Sequence, residues 1–141
     1  MSKGRILKED VDIQSALKDA KIIAVLGMSP KPERDSNKVG RYMMAAGYDL
    51  IPVNPAKGEI LGLVVQEKIE DLAPGSVDIL DVFRKSEDVA GHVDAAISLK
   101  PKLVWMQLGV ENMEAAERLM AAGIDVIMDK CIKVEHARLV V

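Results

Sequence analysis

Short apolar runs alternate with longer stretches of helical period along the chain. Glu9 to Ala20 repeats every 3.6 residues, with Val11, Ile13, Ala16, Leu17 and Ala20 available for a buried stripe. Lys21 to Leu26 reads as a buried strand ending at Gly27, and Ser36 to Ala46 as a second helix. Ser36 suits the N-cap of that helix and Gly47 its stop. Tyr48 to Val53 is the next strand, closed by Asn54-Pro55. Ile60 to Val65 suggests a short strand, and Ile69 to Leu72 a helical turn. Val77 to Phe83 is a strand, and Ser86 to Leu99 a helix capped by Ser86. A strand over Leu103 to Gln107, a helix over Glu111 to Ala122 and a strand over Asp125 to Met128 follow. Val134 to Leu139 reads as a final helical turn.

These strands are apolar on both faces rather than alternating, as in a parallel sheet covered on each side. Repeated strand–helix alternation with right-handed crossovers then predicts an α/β fold. It is a doubly wound, mainly parallel sheet of five or six strands with helices on both faces. In such a sheet a ligand sits beyond the carboxyl ends of the strands, at the switch point. The residues that follow each strand are therefore the informative ones.

Composition narrows the classes. A chain of 141 residues fits one domain over residues 1–141. The aromatics are one Phe, one Trp and two Tyr, so the core is aliphatic and no base-stacking platform is expected. A net charge of −3 argues against a broad nucleic-acid face. No apolar run is long enough to cross a bilayer, and no signal-peptide pattern opens the chain. The single Cys131 fits a reducing compartment, so a cytoplasmic location is expected.

The loop after the first strand runs from Gly27 through Met28, Ser29 and Pro30 to Arg34, Ser36 and Lys38. It has one glycine and no Gly-Lys-Ser/Thr, so it is neither a dinucleotide fingerprint nor a P-loop. Gly27 stands where backbone must approach a ligand closely. Helices favour acids in the first turn, and the helices at Glu9, Glu87 and Glu111 obey. The helix after Ser36 instead carries Lys38 and Arg41, with Arg34 just before it. A bound polyphosphate would turn these cations into partners. The plainer alternative is that Glu33 and Asp35 pair with them on a solvated surface.

The second strand ends Val53-Asn54-Pro55-Ala56-Lys57, without the carboxylate that holds a nicotinamide ribose. Lys57 would attract a phosphorylated ribose, as in coenzyme A or NADP, or it is simply an exposed turn lysine. Here the residues carry a resemblance. The matching stretches are Gly27-Met28-Ser29-Pro30 with Glu33-Arg34 and Ser36, Gly47-Tyr48 through Ile51-Pro52-Val53-Asn54-Pro55, and Gly58 to Gly62. Others are Asp78-Ile79-Leu80-Asp81-Val82-Phe83-Arg84, Trp105-Met106-Gln107-Leu108-Gly109 and Met128-Asp129-Lys130-Cys131-Ile132. The chain resembles small stand-alone CoA-binding proteins related to the CoA-binding domain of the succinyl-CoA synthetase alpha subunit. The resemblance covers nearly everything from about residue 10 onward.

The resemblance implies a Rossmann-like fold with the CoA diphosphate near Gly27, Ser29 and Arg34. It places the adenosine end near Asn54, Pro55 and Lys57, and further contacts at Val82, Phe83 and Arg84. Met28 departs from the small residue usual between that glycine and serine, so its side chain must point away from the ligand. From position alone, Phe83 is either a ligand contact or core, and Arg84 either meets phosphate or solvates the rim. Trp105 is expected in the core, and Gln107 and Gly109 lie at a strand tip. Cys131 with His136 could form a nucleophilic pair, or Cys131 is a half-buried thiol beside an unrelated histidine. No metal site is expected from one cysteine and one histidine.

The leading expectation is a module that binds CoA or an acyl-CoA as carrier, sensor or partner subunit, with no reaction assignable. The synthetase subunits' phosphorylated histidine lies in a second domain, which argues against ligase activity by this chain alone. The alternatives are an NADP(H)-dependent oxidoreductase and an interaction protein with a vestigial nucleotide site. A second copy of the chain and an acyl-CoA enzyme are the partner classes left open, with nucleic acid and membrane excluded.

Overall fold

The computed structural model describes residues 3–56 and 58–140. In chain order its strands are β1 (Ile22–Leu26), β2 (Asp49–Val53), β3 (Glu59–Ile60), β4 (Leu63–Val64), β5 (Ile79–Val82), β6 (Leu103–Met106) and β7 (Asp125–Ile127). The helices are α1 (Asp10–Asp19), α2 (Asp35–Ala45), α3 (Val93–Leu99), α4 (Met113–Ala121) and α5 (Ile132–Leu139). On β1, Ile23 and Val25 enter one hydrophobic cluster while Ala24 and Leu26 enter another. A strand apolar on both faces has to be central, and β1 pairs in parallel with β2 on one side and β5 on the other. β6 and β7 extend the parallel sheet in the order β2-β1-β5-β6-β7.

Each face is closed by its own helices. Ile13 and Leu17 of α1, Val39 and Met43 of α2 and Ile132 of α5 pack with Ile23, Val25, Ile79 and Trp105. On the other face, α3 contributes Val93, Ala96 and Leu99, and α4 contributes Ala115, Ala116 and Leu119. The chain leaves β1 through α2 towards β2, but leaves β5 through α3 towards β6. The winding therefore reverses between β1 and β5, which makes their tips the switch point. Trp105 is fully buried, as expected, and its indole N–H donates to the Lys130 carbonyl at 2.8 Å.

The sheet has five strands, and an isolated parallel bridge between Ile6 and Val126 pairs the amino-terminal segment with the β7 edge. The single strand expected over Ile60 to Val65 is instead the antiparallel hairpin of β3 and β4. Leu61 and Gly62 both have positive φ, the backbone of a tight hairpin turn, which interrupts the run. α2 starts one residue before Ser36, with Arg34 at the N-cap position and no side-chain cap. The Ser36 hydroxyl accepts a loop amide instead. The helix expected from Ser86 is 3-10 over Ser86–His92 and α-helical only from Val93. Ser86 does not cap it: its Oγ accepts from Glu111 N at 3.0 Å and donates to the Gly109 carbonyl at 3.3 Å. α5 begins at Ile132, two residues earlier than the pattern suggested.

α3 ends on Lys100 in the left-handed conformation, φ 57° and ψ 50°. Glycine is the residue that adopts this cap without a Cβ penalty. Lys100→Gly is therefore expected to raise stability by about 0.5–1 kcal/mol, read as a higher urea midpoint with unchanged slope.

Candidate functional site

Gly27 follows β1 with φ +85°, and a Cβ there would lie 2.3 Å from the Phe83 carbonyl oxygen. Its amide donates to Val53 O at 2.8 Å, and the Phe83 amide donates to Leu26 O at 2.9 Å. The ends of β2, β1 and β5 are thus bound together at one point. Met28 is fully buried, and its methyl lies where a side chain on Gly40 of α2 would begin. The bulky residue therefore points into the core, as the ligand reading required of it.

The rest of the loop is held by polar side chains. Ser29 N donates to Ser36 Oγ at 2.9 Å, Lys31 N to Ser29 Oγ at 3.1 Å and Asn37 Nδ2 to the Ser29 carbonyl at 2.9 Å. Arg41 donates to Asn37 Oδ1 at 3.0 Å and to the Pro32 carbonyl at 2.8 Å. Asn54 Nδ2 donates to the Met28 carbonyl at 2.7 Å, and Asn54 Oδ1 accepts the Ala56 amide at 2.9 Å. Ser36, Arg41 and Asn54 thus shape the loop, which is preorganised rather than loose.

Two adjoining hollows open over the switch point. The smaller, about 370 Å³, is lined by Gly27, Ser29, Lys31, Arg34, Ser36 and Phe83. The larger cleft, about 710 Å³, shares Asp35 and Phe83 with it. Its polar lining includes Lys38, Arg84, Lys85, Asp88, Gln107 and Lys133. Val39, Leu108, Val110, Cys131 and Val134 supply apolar walls. The Arg84 guanidinium carbon is 3.4 Å from where a Gly27 Cβ would stand, so the cation lies over the loop where the hollows meet.

Cations gather around these two hollows. The described ion pairs join Arg5 to Asp12, Lys102 to Asp78, Arg118 to Asp94, Lys130 to Glu135, and Arg138 to Asp10 and Glu135. Among the described residues, Lys31, Arg34, Lys38, Arg84, Lys85 and Lys133 have no carboxylate partner, and Glu33 and Asp35 pair with none of them. A third hollow, about 280 Å³ at the amino ends of the strands, differs: its Arg5 and Lys102 are paired with Asp12 and Asp78. In a chain of net charge −3, the two hollows at the carboxyl end of the sheet set Lys31, Arg34, Lys38, Arg84, Lys85 and Lys133 beside only Asp35 and Asp88, and so concentrate positive charge. Such a surface attracts polyanions.

A buried carboxyl lies beneath the cleft. Asp81 is 1% exposed on β5, and Gln107 Nε2 donates to its Oδ1 at 2.8 Å. Gln107 Oε1 accepts the amide of Ile132, the first residue of α5, at 3.3 Å. Burial holds the Asp81 carboxyl well above the usual carboxylate range, against the smaller opposing effect of the Gln107 hydrogen bond. Below about pH 3.8 the folded and unfolded chains both carry this proton. As pH rises past that value the unfolded chain releases it first, so the cost to stability grows until the native carboxyl also titrates and is constant above that. Asparagine mimics the neutral acid. Asp81→Asn is expected to raise stability at neutral pH, with the gain vanishing in strong acid. Chemical denaturation across a pH series reads this directly.

Of the residues expected at the site, Gly27, Ser29, Arg34, Ser36 and Phe83 line the smaller hollow, and Lys38, Phe83 and Arg84 the cleft. The Val82 side chain packs in the opposite core, because β5 alternates faces. Pro30 and Pro55 are exposed and line neither hollow, and Lys57 lies outside the described residues. The Cys131–His136 pair is not formed: His136 Nδ1 meets the Tyr42 hydroxyl at 3.0 Å, and its ring packs edge-on against Tyr42 and Tyr48. Five residues along a helix turn a side chain well away from its start. Sequence reasoning missed Lys85, Val110, Lys133 and Val134. The signal for the last two was the start of α5, which the periodicity placed two residues late.

Residues 21–137 match the family described as CoA binding domain. An uncharacterized protein of Bacillus subtilis (strain 168), YneT, is 40% identical over 126 residues, spanning 89% of this chain and 93% of that protein. A hypothetical protein from Pyrococcus horikoshii OT3 superimposes with a TM-score of 0.90 at 36% identity, covering 100% of both chains. The cell-free ID.343 protein of Thermus thermophilus does so at 0.89 and 40% identity, over 94% of this chain and 99% of its own. With the family match running from the start of β1 into α5, the chain belongs to the CoA binding domain family.

Proposed function

We propose that this protein binds coenzyme A across the carboxyl ends of β1, β2, β5 and β6, as a carrier, a sensor or the CoA-holding subunit of a larger enzyme. The observation that carries this reading is the unpaired cation array around the preorganised Gly27 loop, in a chain of this family. The diphosphate lies over Gly27 and Ser29, between Arg34, Lys38 and Arg84. Charge-assisted hydrogen bonds of about 1.5–3 kcal/mol each hold it there. The pantetheine arm runs past Phe83 into the larger cleft. The adenosine end turns towards Asn54 and Pro55, and the positive charge of Lys57, next in sequence after Ala56, is the proposed partner of the ribose phosphate.

Titration calorimetry tests this. CoA is expected to bind, with an affinity that falls as salt is raised. Dephospho-CoA is expected to bind about tenfold more weakly, for the loss of one charge-assisted contact. No CoA binding at millimolar concentration overturns the reading. Protection from thermal unfolding by NADP and not by CoA would transfer the site to a nicotinamide cofactor.

A further inference from the structure

We infer that the cleft beyond Phe83 is a subsite for the aliphatic acyl group of a coenzyme A thioester, so that acyl-CoA rather than free CoA is the preferred ligand. This rests on the coenzyme A reading above. The two hollows meet at Asp35 and Phe83. A ligand whose diphosphate fills the first therefore sends its thiol end into the second. The order along the ligand, phosphate then pantetheine then acyl group, follows the order along the site.

The chemistry of the second hollow suits hydrocarbon at that end. Leu108 is 71% exposed and Val134 57% exposed, although both are large aliphatics, and both line this cleft. Leu108 is displayed by its turn. The Val110 amide donates to the Gln107 carbonyl at 2.8 Å, and Gly109 has φ +84°, so the turn places glycine where a positive φ is required and Leu108 just before it. The Gly109 amide donates to Asp129 Oδ1 at 2.7 Å, which pins the turn. Val39 and Val110, both buried, continue the apolar wall. The buried amide among the lining residues is engaged within the protein, since Gln107 donates one N–H to Asp81 and its carbonyl oxygen accepts from Ile132. The Lys133 ammonium is drawn over the Tyr42 ring, 5.8 Å from its centroid. A free thiol would leave Leu108 and Val134 bare, whereas an acyl chain covers them.

The test is a calorimetric series of CoA, acetyl-, butyryl-, hexanoyl- and octanoyl-CoA with the full chain, under reducing conditions and below micelle-forming concentrations. Affinity is expected to rise about two- to fourfold per added methylene until the cleft is filled. The uncharged double variant Leu108→Ser, Val134→Ser changes exposed positions and is expected to fold normally. Measured relative to its own CoA affinity, it should lose the chain-length gain, as should Leu108→Asn, Val134→Asn. A flat series with CoA binding intact overturns the inference and leaves the coenzyme A reading standing. A gain that survives in both variants puts the chain elsewhere and also overturns it. Loss of CoA and acyl-CoA binding together by the unmodified protein removes both readings.

Discussion

Gly27→Ala is expected to lower stability by about 2–5 kcal/mol and to abolish CoA binding by whatever fraction stays folded. Two costs combine. A non-glycine residue at φ +85° pays about 1–2 kcal/mol for its left-handed backbone. The added methyl would then stand 2.3 Å from the Phe83 carbonyl oxygen, which is backbone and has no rotamer by which to escape. Relief requires parting β1 from β5 at the switch point, an overpacking cost of about 1–3 kcal/mol. The same movement strains the bonds from Gly27 to Val53 and from Phe83 to Leu26, so the platform for the diphosphate opens. Gly47→Ala is the control. Gly47 has φ +102° with nothing within 4 Å of its Cβ position, so alanine there pays only the backbone cost and leaves binding unchanged. Urea denaturation and calorimetry of both variants separate the two effects. Equal losses in the two proteins would show that the approach to Phe83 does not matter.

The second large effect is electrostatic. The double variant Arg34→Glu, Lys38→Glu is expected to weaken CoA binding by at least about 100-fold, since two charge-assisted hydrogen bonds are replaced by repulsion. Both side chains are exposed and without a carboxylate partner among the described residues, so the reversal breaks no ion pair. Arg34 stands at the N-cap position of α2 and Lys38 in its early turns, where the helix dipole disfavours cations. Thermal stability of the ligand-free variant is therefore expected to stay level or rise by a few tenths of a kcal/mol. Opposite movements of affinity and stability mark cations held in place for a ligand rather than for the fold. Unchanged CoA affinity would remove the diphosphate from this loop. Arg41 needs separate treatment, because its guanidinium holds Asn37 and the Pro32 carbonyl, and its loss would disturb the loop itself.

The same loop shows where sequence reasoning reached its limit. The cation-bearing start of α2 was legible, because helix-dipole preferences act over one turn of chain. The division of labour within it was not. Lys38, Arg41 and Arg34 look alike in sequence, yet Arg41 braces the loop while the other two face the hollows. Ser36 and Asn54 read equally well as ligand contacts, and both close hydrogen bonds within the protein. Each assignment depends on a partner seven or more residues away.

Local periodicity therefore determined the parallel, doubly wound sheet, the course of most helices and the general position of the site at the strand tips. Those follow from which faces of each element are apolar, and from the handedness of the connections between them. The tertiary structure alone decided the depth and lining of the site. Phe83, Leu108 and the Cys131 to Val134 segment meet only because two crossovers, from β5 to β6 and from β6 to β7, return the chain to the same end of the sheet. It also decided that Val82 faces the opposite core and that Asp81 is sealed beneath the cleft, because one residue along a strand reverses the side chain's face.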